Sequence, residues 1–162
     1  GSRSAVVCNR PGVEASLTHQ HKAGGMNSEF TVKTGGQGLY EVTDQVHQAL
    51  SGHRSDGLVT LFLRHTSASL LIQENADPDV QRDLLAYFSR LVPPADDPSM
   101  AYLRHTLEGP DDMPAHIKAA MLPVTLSIPV VAGRMGLGTW QGIYLFEHRD
   151  APHSRRIAVH FA

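Results

Sequence analysis

"LVTLFLRHTSASLLIQENADP", residues 58–78, is the stretch on which the fold turns. Its first eight residues alternate as a strand does. Val59, Leu61, Leu63 and His65 share one face, and Leu58, Thr60, Phe62 and Arg64 share the other. A hydroxyl-rich turn, Thr66-Ser67-Ala68-Ser69, leads into "SLLIQEN", which predicts a second strand. Asp77-Pro78 then opens a helix, with Asp77 as N-cap and Pro78 in the first turn, where its missing N–H costs nothing. Val80, Leu84, Leu85, Phe88 and Leu91 continue it as an apolar stripe that stops before Pro93-Pro94.

Outward from there, short β-prone runs near Glu29–Lys33 and Leu39–Val42 flank the turn Gly35-Gly36-Gln37-Gly38. Thr43 suits an N-cap, followed by Val46, Ala49 and Leu50 at helical spacing and a stop at Gly52. A further helix is expected to start at Pro114, with Ile117, Ala120 and Met121 inward, and to end before Pro123. Val124–Val131, Trp140–Phe146 and Arg156–Phe161 predict three more strands. Strands and helices do not alternate strictly, so the expected class is α+β with a largely antiparallel sheet.

The 162 residues suit one domain, and 41% hydrophobic with 19% charged residues suits a soluble globular chain. A net charge of -2 argues against phosphate-neutralising contact with nucleic acid, and no apolar run is long enough for a membrane span. The single cysteine, Cys8, excludes an internal disulfide framework and fits a cytoplasmic, reducing compartment. Ten histidines are the compositional excess, and neutral imidazole is the commonest metal ligand. Residues 1–25 lack sustained periodicity and end in Gly24-Gly25. They read as a leader, tag or extension, with Met26 opening the domain proper over 26–162. Within them His19 and His21 form an H-x-H.

Three polar clusters stand out. In "HTSASLLIQENADP" a strand ends in His65, hydroxyls follow, and Glu74, Asn75 and Asp77 precede a helix N-terminus, which favours anions. Turn and cap chemistry accounts for Asp77 and Ser67, less well for Glu74 and Asn75. In "YLRHTLEGPDDMPAHIK", residues 102–118, Asp112 and His116 lie four apart on one helical face, and His105 comes from a separate segment. Capping by the Asp111-Asp112 pair with surface histidines is the plainer account of the same residues. In "GLGTWQGIYLFEHRDAPHSRR" three glycines surround Thr139-Trp140-Gln141, Glu147 closes an apolar face, and arginines follow. A core tryptophan beside a solvated basic hairpin is the alternative. No phosphate-loop, zinc-protease, nucleophile-elbow or dinucleotide motif is present.

Taken together and in this order, "HTSASLLIQENADPDV", "RHTLEGPDDMPAHIK" and "LGTWQGIYLFEHR" resemble the secondary thiamine-phosphate synthase family, also called the YjbQ-like family. The resemblance runs from about Phe30 to Phe161. It implies a small β-sandwich-like α+β fold with two to three helices, assembled as a homotrimer with sites where subunits meet. It also implies a transferase that joins hydroxymethylpyrimidine diphosphate and thiazole phosphate, small phosphorylated heterocycles, with release of diphosphate. On the motif positions, His105, His116 and His148 are candidate metal ligands. Asp112, Glu74 and His65 are candidate catalytic residues. Ser67, Ser69, Asn75, Thr139, Trp140, Gln141 and Arg149 are candidates for binding substrate, with Arg149 and Arg64 toward phosphate. Imidazoles would suit Zn²⁺, whereas Mg²⁺ would prefer Glu108, Asp111 and Asp112. A non-catalytic metal- or small-molecule-binding trimer and a metal-dependent hydrolase are the competing readings.

Overall fold

The computed structural model describes residues 20–22 and 25–162. Most of the expected leader falls outside the described residues, and so do His19 and the side chain of His21.

Nine strands form two antiparallel sheets. The larger has the order β1-β2-β9-β4-β6-β7: β1 (Gln20–Lys22), β2 (Gly25–Thr34), β9 (His153–Phe161), β4 (Gly57–Leu63), β6 (Thr125–Val131) and β7 (Arg134–Met135). The smaller has the order β3-β8-β5: β3 (Gly38–Glu41), β8 (Gln141–Glu147) and β5 (Ala68–Glu74). Three helices, α1 (Thr43–Ala49), α2 (Pro78–Leu91) and α3 (Asp112–Met121), complete an α+β domain, with a 3-10 turn at Pro98–Met100. Among the described residues no helix is long and apolar enough to cross a membrane.

The alternation in residues 58–65 sets the core. Val59, Leu61 and Leu63 are fully buried, together with Phe30 and Val32 of β2, Ile157 and Val159 of β9, and Ile143 and Leu145 of β8. The opposite face of β4 is left open, with Leu58 and Phe62 exposed. Strand β8 is buried from Gly142 to Glu147, because β3 and β5 pair on its two edges and other elements cover both its faces.

The helices depart from expectation in instructive ways. Asp77 caps α2 as predicted, its side chain accepting from the N–H of Asp79 at 2.9 Å. Thr43 is the first residue of α1 rather than its cap. Its Oγ1 accepts from Ile143 N–H at 2.9 Å, so it ties the helix to β8. No residue of α2 is fully buried, and Tyr87 and Leu91 stand in solvent.

Helix α3 begins two residues earlier than predicted, so Pro114 lies inside its first turn. It is also turned over: Asp112, Pro114, Ala115 and Lys118 are buried, while Ala120 and Met121, expected inside, are exposed. An amphipathic count misplaces such a helix because two of its buried side chains are charged.

The β6–β7 hairpin turns on Ala132 and Gly133, both with positive φ (49° and 77°), the pairing that suits a tight hairpin's twist. A Cβ at Gly133 would sit 2.1 Å from the carbonyl oxygen of His53. Gly133→Ala is therefore expected to cost at least about 1–3 kcal/mol through backbone conformation and collision. Denaturant unfolding measures this, and a wild-type midpoint would contradict it.

Candidate functional site

The ends of β4 and β8 and the beginnings of β5, β9 and α3 meet at one end of the sandwich. Here the structure brings together His105, Asp112 and His116. Their ligand atoms all lie within 4.8 Å of one another. Nε2 of His105 is 2.7 Å from Asp112 Oδ2, and Nε2 of His116 is 3.4 Å from the same oxygen. The four-residue spacing of Asp112 and His116 puts both on one face of α3, while His105 reaches in from the loop before it.

The surroundings fix each group. Nδ1 of His116 is 2.9 Å from the carbonyl oxygen of Thr66. A carbonyl only accepts, so Nδ1 carries the hydrogen and a neutral His116 has a lone pair on Nε2, 3.4 Å from Asp112 Oδ2. Two electron-rich atoms then face each other, an arrangement that needs a proton or a cation between them. Arg149 brackets the carboxylates. Its Nη1 donates to Asp112 Oδ1 at 2.6 Å, its Nε to Asp111 Oδ2 at 2.8 Å, and its Nη2 to the carbonyl oxygen of Glu108 at 3.1 Å. Burial pushes the Asp112 carboxyl upward, but the His105 hydrogen bond and the Arg149 charge outweigh it and hold its pKa below the usual range. Asp112 is therefore a carboxylate with almost no contact with water.

Two imidazole nitrogens and one carboxylate oxygen, with a carbonyl fixing one imidazole's tautomer, are the donor set and outer support of a Zn²⁺-like divalent site. They fit the expected metal. The oxygen-rich alternative for Mg²⁺ is less complete: Asp111 is spent on Arg149 and on the N–H of Asp150, and Glu108, although its side chain reaches Asp112, is exposed.

His148, the third expected ligand, lies elsewhere. It is buried, with Nε2 2.8 Å from Ser69 Oγ. Burial, and then the nearby Lys118 charge, push its pKa down to about 3, so it is neutral. Ser69 is thus used inside the protein, and so is Ser67, whose Oγ accepts from Arg155 Nη2 at 2.9 Å. Arg155 also forms a two-pronged pair with Glu147, at 2.7 Å and 2.6 Å, joined by Thr34 Oγ1 at 2.8 Å. This resolves the carboxylate at the end of an apolar face. The sequence offered no signal for the pairing, because its members come from four segments. Arg64, expected near phosphate, is largely exposed and pairs with Glu29 at 3.0 Å.

His65 lines an open groove of about 610 Å³ beside His116, with Phe62, Ala119, Ala120 and Val124. Its Nε2 accepts from Arg156 N–H at 2.7 Å, and burial, followed by the Arg155 and Arg156 charges, lowers its pKa.

The remaining expected residues gather at the other end of the small sheet. Glu74 faces Gln141 across β5 and β8, while Ala68 faces Glu147. Six residue steps along β8 separate the two ends, about 20 Å at roughly 3.3 Å per residue. Asn75 N–H donates to the Trp140 carbonyl oxygen at 3.0 Å, and Asn75 Nδ2 to Glu41 Oε1 at 3.3 Å. Trp140 is 62% exposed and so is not a core residue. The three polar clusters therefore split into a His-Asp-Arg end and a Trp-Asn-Glu end.

A family model for UPF0047 YjbQ-like proteins matches residues 28–162. The chain belongs to the YjbQ-like UPF0047 family. UPF0047 protein sll1880 of Synechocystis is 50% identical over 133 residues, covering 81% of this chain and 87% of that protein. UPF0047 protein YjbQ of Escherichia coli O157:H7 is 44% identical over 130 residues, 79% and 91% of the two chains. The fold is similar to the crystal structure of a YjbQ/UPF0047 family protein from Clostridium acetobutylicum, described as uncharacterized and conserved. That similarity has a TM-score of 0.71 at 36% identity over 83% and 98% of the chains. The matched region of this YjbQ-like chain contains both ends of the small sheet.

Proposed function

We propose that this chain is a divalent-metal-dependent transferase of the thiamine-phosphate synthase type, acting in the cytoplasm as a homotrimer. In the reaction, the C–O bond between the pyrimidinylmethyl carbon and diphosphate breaks, and diphosphate leaves with the electron pair. The thiazole nitrogen forms the new C–N bond with its own lone pair, so no general base is required. The observation that carries the reading is the convergence of His105, His116 and a carboxylate Asp112 at 4.8 Å or less beside an open groove. The two precursor molecules come from the resemblance of the three motifs.

His105, Asp112 and His116 would hold a divalent ion, which when bound would supply positive charge for the leaving diphosphate. The Thr66 carbonyl holds His116 in the ligating tautomer, and Arg149 holds Asp112 ionised and oriented. Arg149 is in this sense a positioning residue, since three of its five N–H donors are committed to Asp111, Asp112 and Glu108. His65, fixed with Nε2 as acceptor, offers Nδ1–H at the groove. Trp140, Asn75, Gln141, Thr139 and Glu74 are too far away to serve this site within one subunit. In a homotrimer they would close a neighbouring subunit's groove, Trp140 stacking on the flat ring. The exposed Phe62, Leu58 and Met121 and the half-open stripe of α2 supply the apolar surface such an assembly needs.

The test is His116→Ala in metal-loaded protein given both phosphorylated precursors. Wild type is expected to form thiamine phosphate. The variant should lose about 10²-fold or more while keeping the wild-type mass in solution. A wild type that binds metal but forms no product refutes the transferase reading, and a wild-type rate in the variant refutes the site.

A further inference from the structure

Residues two apart on a helix are about 200° apart around its axis. Asp112 and His116 therefore occupy one side of α3, and Pro114 and Lys118 the other. On that second side lies a separate cavity of about 190 Å³, walled by Val92, Pro94, Pro110 and Pro114, with Lys118, His148, Gln37, Asp96, Asp111 and Asp150 among its polar lining.

Two polar groups on it lack adequate partners. Lys118 is only 4% exposed, and its Nζ makes a single long hydrogen bond, 3.4 Å to Gln37 Oε1. Among the described residues no carboxylate comes within ion-pair distance of it. The Asp150 charge acts from farther off, and one Asp150 oxygen is taken by Gln37 Nε2 at 2.7 Å. Nδ1 of His148 is likewise buried without a partner. With Ser69 Oγ–H donating to His148 Nε2, Nδ1 bears the hydrogen and acts as a second donor. Burial lowers the Lys118 pKa, because a buried ammonium with unspent donors is costly unless an anion meets it. Asp111 is already neutralised by Arg149, and one of its oxygens accepts from Asp150 N–H. The second oxygen of Asp150 favours a donor on the ligand.

We infer that this cavity is a second ligand site, taking a small oxyanion, a carboxylate or phosphate ester, that also bears a hydroxyl or amino group. The oxyanion meets Lys118 Nζ and His148 Nδ1, and the hydroxyl or amino group faces Asp150. A cavity of about 150 Å³ admits benzene, so the ligand is of single-ring or short-chain size. The site needs neither the metal centre nor a proton transfer.

Titration calorimetry on metal-free protein tests it, with inorganic phosphate and glycolate as probes and potassium chloride at matched ionic strength as control. Saturable binding of phosphate, of glycolate or of both is expected, and which of them binds identifies the oxyanion. Lys118→Met should weaken binding about a hundredfold, whereas His116→Ala should leave it intact. In the wild type, the imidazole ¹⁵N resonances of His148 should move on saturation, a readout that needs no variant. The inference is overturned if neither probe binds saturably, if Lys118→Met binds as well as wild type, or if the His148 signals stay still at saturation.

Discussion

Asp112→Ala is expected to abolish stoichiometric metal retention, lowering affinity by well over about 10²-fold, more than losing an outer-shell partner costs. The reasoning is geometric. Asp112 Oδ2 is the one oxygen within reach of both imidazoles, and Oδ1 is the anchor for Arg149. Removing the carboxylate takes away one of three candidate ligands and leaves the guanidinium with Asp111 and the Glu108 carbonyl. Asp112→Asn separates the two effects. It keeps the volume and an acceptor for Arg149 but lacks the charge, so its fold should survive while its metal does not. Competition with a chelator of known affinity measures this. Wild-type retention by Asp112→Ala would remove Asp112 from the ligand set and with it the proposed centre.

The second large effect concerns stability. Glu147→Ala should cost about 3–5 kcal/mol, the usual result of stranding one member of a buried ion pair. Arg155 would be left nearly sealed from water with only Ser67 as partner. The paired replacement Glu147→Leu with Arg155→Met should cost far less than the sum of the single changes, and chemical denaturation of all three variants decides it.

The pH dependence follows the same pair. Burial works against the Glu147 carboxylate, but hydrogen bonds from Arg155, Arg149 N–H and Thr34 more than offset it, and the folded pKa is lowered. The unfolded chain therefore binds this proton first as pH drops. The stabilisation is complete above the unfolded glutamate pKa and is lost as pH falls through the folded one. His148 adds to the acid side: its folded pKa of about 3 lies below the ordinary histidine value of 6.5, so protonation favours the unfolded chain between them. Stability should decline steadily below about pH 6.5, and a flat profile down to pH 4 would contradict the burial of His148.

Much of this architecture was legible from local pattern. Period-two alternation located β4, the apolar run after a hydroxyl-rich turn located β5, and Asp77-Pro78 marked the start of α2, because those signals depend on neighbours in sequence. The His105, Asp112 and His116 cluster was legible for the same reason, as an i, i+4 pair plus a nearby histidine. His148 and Ser69 misled because their burial depends on what packs over β8 from distant segments. The rotation of α3 was hidden by its buried Asp112 and Lys118, whose partners, Arg149 and Gln37, come from distant parts of the chain. Residues at the two ends of β8 look adjacent in a motif, yet an extended strand carries them about 20 Å apart.

The place of β9 in the larger sheet has a consequence for biosynthesis. It is the last strand in the chain, yet it lies between β2 and β4, with Met26 opposite Phe161 at one end and Leu63 opposite Ile157 on the other side. Until residues 153–161 leave the ribosome, β2 has no partner on that edge and β4 is joined only to β6. Such long-range closure is slow and leaves strand edges open meanwhile. The main sheet therefore cannot close until residues 153–161 are available, and loss of that strand strikes its centre rather than its margin.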